Sequence, residues 1–307
     1  MRNHRPIVTA VLVAIAACTT GCQQAMLVVS DAFYTPDQKT VLEARLERTV
    51  RGGMTGIAGV PVSFHIHEQR LGEAVTNDMG VARLACELPV DATHFRAEAR
   101  HAGDPLKGEG LVFRFPPGRM VIVCDIDGTV SMTHYRELVF DEHDMASRPF
   151  DDAAAVLTKL NERFGLVYLT ARPGFLLEKT KRWLEANGFP RAPVITTPGL
   201  AQSIGVQKFK ADRIGHLKRV LGRVGIGIGN ADTDSEAYAM QHLLTIILDN
   251  DDDNRFRSHA VVLRNWKMVE AFFDANRDVL EDYDRLQAAI DGEAFIRRPI
   301  LHYQPRR

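Results

Sequence analysis

The chain lacks an apolar run long enough to cross a bilayer as a helix. Its clearest one, Ile7 to Ala17, has eleven residues, where a spanning helix needs roughly 20. It also lacks an excess of either charge. Lys+Arg number 38 and Asp+Glu 39, for a net charge of -1, which removes any general electrostatic pull toward nucleic acid. Cysteine is scarce, with four in all. Two of them sit in the N-terminal segment, leaving Cys86 and Cys124. These fall in different expected domains, and two free buried thiols are expected rather than a disulfide. There is no internal repeat and no low-complexity tract, so solenoid and fibrous architectures are excluded. What remains is an ordinary globular composition, 45% hydrophobic and 25% charged, over 307 residues. That length suits two domains.

The N-terminus is expected to be a targeting segment rather than fold. Arg2, His4 and Arg5 form a basic stretch ahead of the apolar run, the layout of a signal peptide. Ile15-Ala16-Ala17-Cys18 resembles the lipobox of bacterial lipoproteins, and Thr19-Thr20-Gly21-Cys22 is a looser match placed after the whole run. Either Cys18 or Cys22 is the candidate lipidation site. The expectation is an exported, membrane-anchored lipoprotein, periplasmic or in the cell envelope, with residues 1–22 as its signal.

Residues 25–118 read as an all-β sandwich. Val41 to Leu46 and Val62 to His67 alternate apolar with polar residues, and Gly56, Gly59, Gly72, Asn77-Asp78 and Gly80 supply turns. The segments Gly59 to Phe64 and Gly72 to Gly80 resemble immunoglobulin-like or transthyretin-like bacterial modules. His65 and His67 would share one strand face, as metal ligands or as a solvated pair. After Pro116-Pro117-Gly118 the pattern changes to strands alternating with helices, over residues 119–290. Met120 to Cys124 is a continuous apolar run, as expected for a strand buried on both faces of a parallel sheet. Further strands are expected at Leu166 to Leu169, Val194-Ile195, Ile226 to Ile228 and Thr245 to Leu248. Helices are expected at Asp151 to Leu160, Phe175 to Asn187, Ala211 to Leu221 and near Met268 to Ile290. This predicts a doubly wound α/β domain, followed by a basic tail, 291–307, carrying Arg297, Arg298, Arg306 and Arg307.

Ligands of such sheets bind beyond the carboxyl ends of the strands, and the reactive residues fall there. Asp125-Ile126-Asp127-Gly128-Thr129 follows the first strand directly. A calcium loop is excluded, because its twelfth position is Arg136 rather than Glu. Thr170 ends the second strand, with Arg172 two residues on, facing either the same pocket or solvent. Lys208 and Lys210 lie between this strand and the next motif; a lone lysine is ordinarily a solvated side chain. Gly229-Asn230-Ala231-Asp232-Thr233-Asp234 follows the strand at Ile226.

In this order the motifs resemble those of the haloacid dehalogenase (HAD) phosphatase superfamily. Gly-Asn in the last motif narrows the likeness, together with Leu169-Thr170-Ala171-Arg172-Pro173, Gly188-Phe189-Pro190, Phe209-Lys210 and Asp234-Ser235-Glu236-Ala237-Tyr238. Residues 119 to 270 resemble the catalytic domain of lipins, Mg²⁺-dependent phosphatidate phosphatases. The resemblance implies a HAD-like fold and a phosphomonoester hydrolase. Asp125 would be the nucleophile, Asp127 the general acid and base, and Thr170 and Lys210 would hold the phosphoryl group. Thr129 and Arg172 would bind substrate. Mg²⁺ would sit on Asp125, the Asp127 carbonyl, Asn230 and Asp234. The expected partners are a phosphorylated lipid or small phosphomonoester and a membrane surface, with no nucleic acid. Relatives that bind lipid without hydrolysis lose the second carboxylate, which is present here as Asp127.

The stretch from Ser131 to Asp152 is too short for a large cap, which predicts an open site. It contains His134, Tyr135, Arg136, Asp141, Glu142, His143 and Asp144, as head-group contacts or a polar loop. Phe175 and Trp183 are candidates for an aromatic clamp on a nucleotide base, or for core packing. The run Asp249 to Asp253 lacks the glycine and the final carboxylate of a calcium loop and reads as solvated acid.

Overall fold

The computed structural model describes residues 25–34, 38–50, 53–132, 147–198, 205–249 and 260–295. Residues 1–24 with the candidate lipidation sites Cys18 and Cys22, the polar residues His134 to Asp144, most of the Asp249 to Asp253 run and residues 296–307 of the expected basic tail lie outside these residues.

The N-terminal strands are β1 (Ala25–Val29), β2 (Ala32–Tyr34), β3 (Thr40–Val50), β4 (Gly53–Gly56), β5 (Pro61–Ile66), β6 (Gln69–Val75), β7 (Val81–Cys86), β8 (His94–His101) and β9 (Asp104–Arg114). β3 is the centre of one sheet, with β1 along one edge and β7 and β4 sharing the other. The second sheet runs β2-β9-β8-β5-β6. The alternation in β3 and β5 places Leu42, Ala44, Val62 and Phe64 between the sheets, where they pack with Ala82 and Phe95. Burial of these side chains is the driving force, roughly 1.5–3 kcal/mol for each large one. β5 ends at Ile66. His67 takes a left-handed turn (φ 50°) and its ring meets His94 edge-on at 5.8 Å, while the His65 ring pairs with Ser63. The two histidines therefore do not share a strand face.

The second domain contains β10 (Val121–Cys124), α1 (Ala153–Arg163), β11 (Gly165–Pro173), α2 (Leu177–Ala186), β12 (Val194–Thr197), α3 (Val206–Leu221), β13 (Val224–Gly229), α4 (Asp232–Met240), β14 (Leu244–Leu248), β15 (Val261–Leu263), α5 (Trp266–Ala275), α6 (Arg277–Leu280) and α7 (Tyr283–Asp291). Its six strands are all parallel, in the order β12-β11-β10-β13-β14-β15. Alternate residues of β10 serve opposite cores. Ile122 and Cys124 pack with α1, α2 and α5, whereas Val121 and Val123 pack with α3 and α4. Strand order reverses beside β10, so the loops after β10, β11 and β13 converge there. Among the described residues no helix is long and apolar enough to cross a membrane.

Several boundaries differ from the sequence reading. α3 begins at Val206, five residues earlier than expected, which brings Lys208 and Lys210 onto the helix. The helix expected near Met268 to Ile290 is three helices. Asn276 ends the first by donating its side-chain amide to the Phe272 carbonyl, and Asp282 caps the third by accepting from the Arg285 N–H. β15 and α4 had no counterpart in the reading. Cys86 and Cys124 are free thiols.

The two domains meet through Asp31, whose buried side chain makes three contacts. It accepts from Leu111 N at 3.1 Å in the sandwich, from Val194 N at 3.1 Å on β12 and from Lys181 Nζ at 2.8 Å on α2. Close by, Arg45 donates to the Thr197 carbonyl at 3.4 Å. Asp31→Ala removes a buried carboxylate and strands two backbone donors, which should cost about 3–5 kcal/mol. Thermal or urea unfolding of the variant checks this, with separate melting of the two domains as the accompanying sign.

Candidate active site

The turn after β10 is fixed from both ends. Asp125 N donates to the Ile228 carbonyl of β13 at 2.9 Å, and Gly128 N donates to the Ser131 carbonyl at 2.8 Å. Gly128 has φ 76°, and a Cβ there would lie 2.2 Å from Asn230 Nδ2. Only glycine lets the two loops close together. Trp266, fully buried on α5, holds the same turn by donating Nε1–H to the Thr129 carbonyl at 3.0 Å.

Lys210 is buried at the first turns of α3, between two carboxylates. Its Nζ donates to Asp125 Oδ1 at 2.6 Å and to Asp234 Oδ1 at 2.5 Å. Lys208 is exposed and pairs with Asp212 instead, so Lys210 is the lysine of the site. The other oxygen of Asp234 accepts the Asn230 and Ala231 N–H groups at 3.2 and 3.1 Å. These contacts place a carboxylate at the N-terminus of α4, where the helix dipole favours it. Thr129 Oγ1 lies 3.3 Å from Asp125 Oδ2 and 3.2 Å from Asn230 Oδ1. One hydroxyl carries one proton, so it satisfies only one of these oxygens at a time.

The electrostatics follow from this crowding. Burial, then the neighbouring Asp234, pushes Asp125 up to about 7, against the pull of Lys210. Burial acts to lower Lys210, but Asp125 and Asp234 more than offset it, and the ammonium is held above its ordinary value. Cys124, directly beneath, is raised by burial and then by Asp125, and stays a thiol. Two carboxylates around one ammonium leave the cluster a net negative charge when all three are ionised.

A second group adjoins it. Arg172 is fully buried and forks onto Asp127, with Nη2 2.9 Å from Oδ1 and Nε 3.0 Å from Oδ2. Thr170 Oγ1 donates to Asp127 Oδ2 at 3.1 Å and accepts from Arg172 N at 3.1 Å. The guanidinium also donates to Thr180 Oγ1 at 3.2 Å and lies 5.9 Å from the Trp183 ring. Of the two readings of Arg172, the solvent-facing one is excluded. Trp183 is buried, stacked on Phe189 and hydrogen-bonded to the Ser147 carbonyl, so it cannot clamp a base; Phe175 is half-buried.

All eight residues singled out from the sequence, Asp125, Asp127, Thr129, Thr170, Arg172, Lys210, Asn230 and Asp234, thus fall in these two adjoining groups. Sequence reading missed Thr180 and Trp266, which lie outside the quoted motifs and carry no local pattern. Among the described residues no three His, Cys, Asp or Glu side chains gather as a metal cluster. The oxygens near the Thr129 hydroxyl are mixed, a carboxylate from Asp125 and an amide from Asn230, while both oxygens of Asp234 are already taken by Lys210 and by the Asn230 and Ala231 N–H groups. Asp125 Oδ2 and Asn230 Oδ1 face one shared hydroxyl, and the surrounding charge is net negative. Such hard oxygen donors fit Mg²⁺.

Residues 122–245 match the family model described as PITM 1-3, LNS2 domain. This is a lipin-like, phosphatase-related domain, in agreement with the resemblance carried by the motifs. No curated protein matches the chain. Among solved structures, one in the Pnkp1/Rnl/Hen1 RNA repair complex aligns at 15% identity over 40% of each chain, with a TM-score of 0.33. The chain thus spans 40% of that protein's length. The carbohydrate acetylesterase XAC1771 of Xanthomonas citri aligns at 9% identity over 78% of this chain and 67% of its own, with a TM-score of 0.27. Likenesses this weak bear on neither fold nor function.

Gly128→Ala is expected to separate the two loops. A side chain in the left-handed conformation costs about 1–3 kcal/mol, and its Cβ collides with Asn230. A lower melting temperature, read by calorimetry, with the overall fold retained by circular dichroism, is the predicted outcome.

Proposed function

We propose that the chain is a Mg²⁺-dependent phosphomonoester hydrolase that works through an aspartyl-phosphate on Asp125. Its proposed substrate is phosphatidate or a similar lipid phosphate. The observation that carries this reading is the buried Lys210 ammonium shared by Asp125 and Asp234, beside the Asp125–Thr129–Asn230 oxygens. Two carboxylates on one buried ammonium leave negative charge that a bound cation would offset. We further read the parallel sheet as a HAD-like doubly wound fold without a large cap, and residues 1–22 as the signal of an exported lipoprotein. A lipid anchor would hold the enzyme at a bilayer surface, where such a substrate resides.

A phosphate monoester is anionic and repels a carboxylate, so catalysis rests on positioning and on neutralising charge. Asp125 attacks phosphorus, forming the Oδ–P bond as the bond to the leaving oxygen breaks. Asp127 gives its proton to that oxygen. It then takes one from the water that attacks the aspartyl-phosphate, releasing phosphate and restoring Asp125. Both oxygens of Asp127 are engaged by Arg172 and Thr170, so the carboxyl must give up one contact before proton transfer. The freed guanidinium or hydroxyl is then available to the phosphoryl oxygens, as is Lys210. Asp125, the Asp127 carbonyl, Asn230 and Asp234 would hold Mg²⁺, which supplies charge neutralisation between nucleophile and phosphate when bound.

Two other readings are weaker. A nucleotide-directed acid phosphatase would want an aromatic clamp, and Trp183 is unavailable for one. A binding module without turnover is disfavoured by the presence of Asp127.

Phosphate release by the full chain is the test. It should occur from phosphatidate in mixed micelles in preference to soluble monophosphates, with Mg²⁺ and not with chelator. Asp125→Asn should lower turnover by roughly 10³-fold or more while the protein stays folded. Activity confined to soluble esters would move the function to phosphate scavenging, and an active Asp125→Asn would remove the nucleophile assignment.

A further inference from the structure

We infer a second, separate anion site in the cleft between the sandwich and α3, built on Arg213 and Arg219 and suited to a phosphate group on an apolar body. The cleft has a volume of about 780 Å³, within the range of small-molecule sites. Its walls come from both domains. β2, β3 and β7 supply Phe33, Val41 and Arg83, and β12 and α3 supply Ile195, Phe209 and Arg213.

The charges lining the cleft do not cancel. Each acid has its own cation nearby. Glu43 pairs with Arg83 at 2.7 Å, Asp212 with Lys208 at 2.6 Å and Asp31 with Lys181 at 2.8 Å. Arg45 is taken up by Glu47 at 3.0 Å. Arg213 and Arg219 have no acidic partner among the described residues, and His216 stands between them on the same helix. Arg213 instead lies over the Phe209 ring at 5.7 Å. His216 is lowered first by its burial and then by these two arginines, against the pull of Glu43.

The placement on α3 gives the feature a purpose. Lys210, Ala211, Ile214 and Leu217 are the buried face of the helix, which presents Lys210 to Asp125. Phe209, Arg213 and His216, at i, i+4 and i+7, form the adjoining stripe, which faces the cleft. An arginine fork matches phosphate oxygens in bidentate fashion. Phe33, Val41, Ile195 and Phe209 offer an apolar wall to whatever bears the phosphate. The site shares no residue with the cluster at Asp125.

The experiment uses the full chain with chelator present. Inorganic pyrophosphate is titrated by calorimetry, and the His216 ring resonance is followed by NMR. Sedimentation with phosphatidylcholine vesicles, with and without phosphatidate, tests the lipid source. Binding should weaken roughly tenfold or more in Arg213→Ala/Arg219→Ala and persist in Asp125→Asn. Pyrophosphate binding alone would assign a soluble phosphorylated ligand, and phosphatidate-dependent sedimentation alone a lipid headgroup. Either result supports the site, provided it depends on the two arginines. Binding that survives the double substitution, binding lost in Asp125→Asn, or no binding of either probe would overturn it.

Discussion

One buried ammonium holds together the loops at the carboxyl edge of the parallel sheet. Lys210 sits between Asp125 and Asp234, two carboxylates that burial would otherwise force toward neutrality. Taking away one partner of a buried charge cluster typically costs about 3–5 kcal/mol, because the remainder is left unpaired. Here it would leave two carboxylates facing each other at the carboxyl edge of the sheet. The position of Lys210 depends in turn on α3 packing Ala211, Ile214 and Leu217 against β10 and β13. A substitution in that apolar stripe therefore reaches the site without touching it.

The same edge explains why the residues come from distant parts of the sequence. β10, β11 and β13 are neighbours and parallel, so their carboxyl ends open on one side. Asp125, Thr170 and Asn230 follow from that register, and the left-handed turn at Gly128 lets the first and last loops touch. Arg172 extends the arrangement inward. It is fully buried, forked onto Asp127 and braced by Thr180, and it fixes the orientation of the group proposed to move the proton.

Much of this was legible in the sequence. The apolar run before Asp125-Ile126-Asp127-Gly128-Thr129, the strand ending at Thr170 and the Gly-Asn turn each placed a reactive residue at a strand end. Strong periodicity also gave α1, α2 and five of the six strands of the parallel sheet to within a few residues, but only β3 and β5 of the sandwich. Other features had no local signal. β15 is three residues long, and α4 begins within the reactive motif itself, where polar residues hide the helical period. The choice between Lys208 and Lys210, two residues apart on α3, is one of helix face, and a start at Ala211 left both off the helix. The fork of Arg172 on Asp127 spans 45 residues, and the Asp31 contacts to Leu111, Lys181 and Val194 span 80 or more. Pairings of that range are set by tertiary packing, which no short motif encodes.

The central claim is that Asp125 is the atom donor to phosphorus. Acid quenching of the full chain in mid-turnover on labelled phosphatidate, followed by peptide mapping, tests it most directly. The account predicts label on the peptide containing Asp125, absent in Asp125→Asn and accumulating in Asp127→Asn, where hydrolysis of the intermediate is slowed. Label on another residue, or steady turnover with no phosphorylated protein at any quench time, would contradict it.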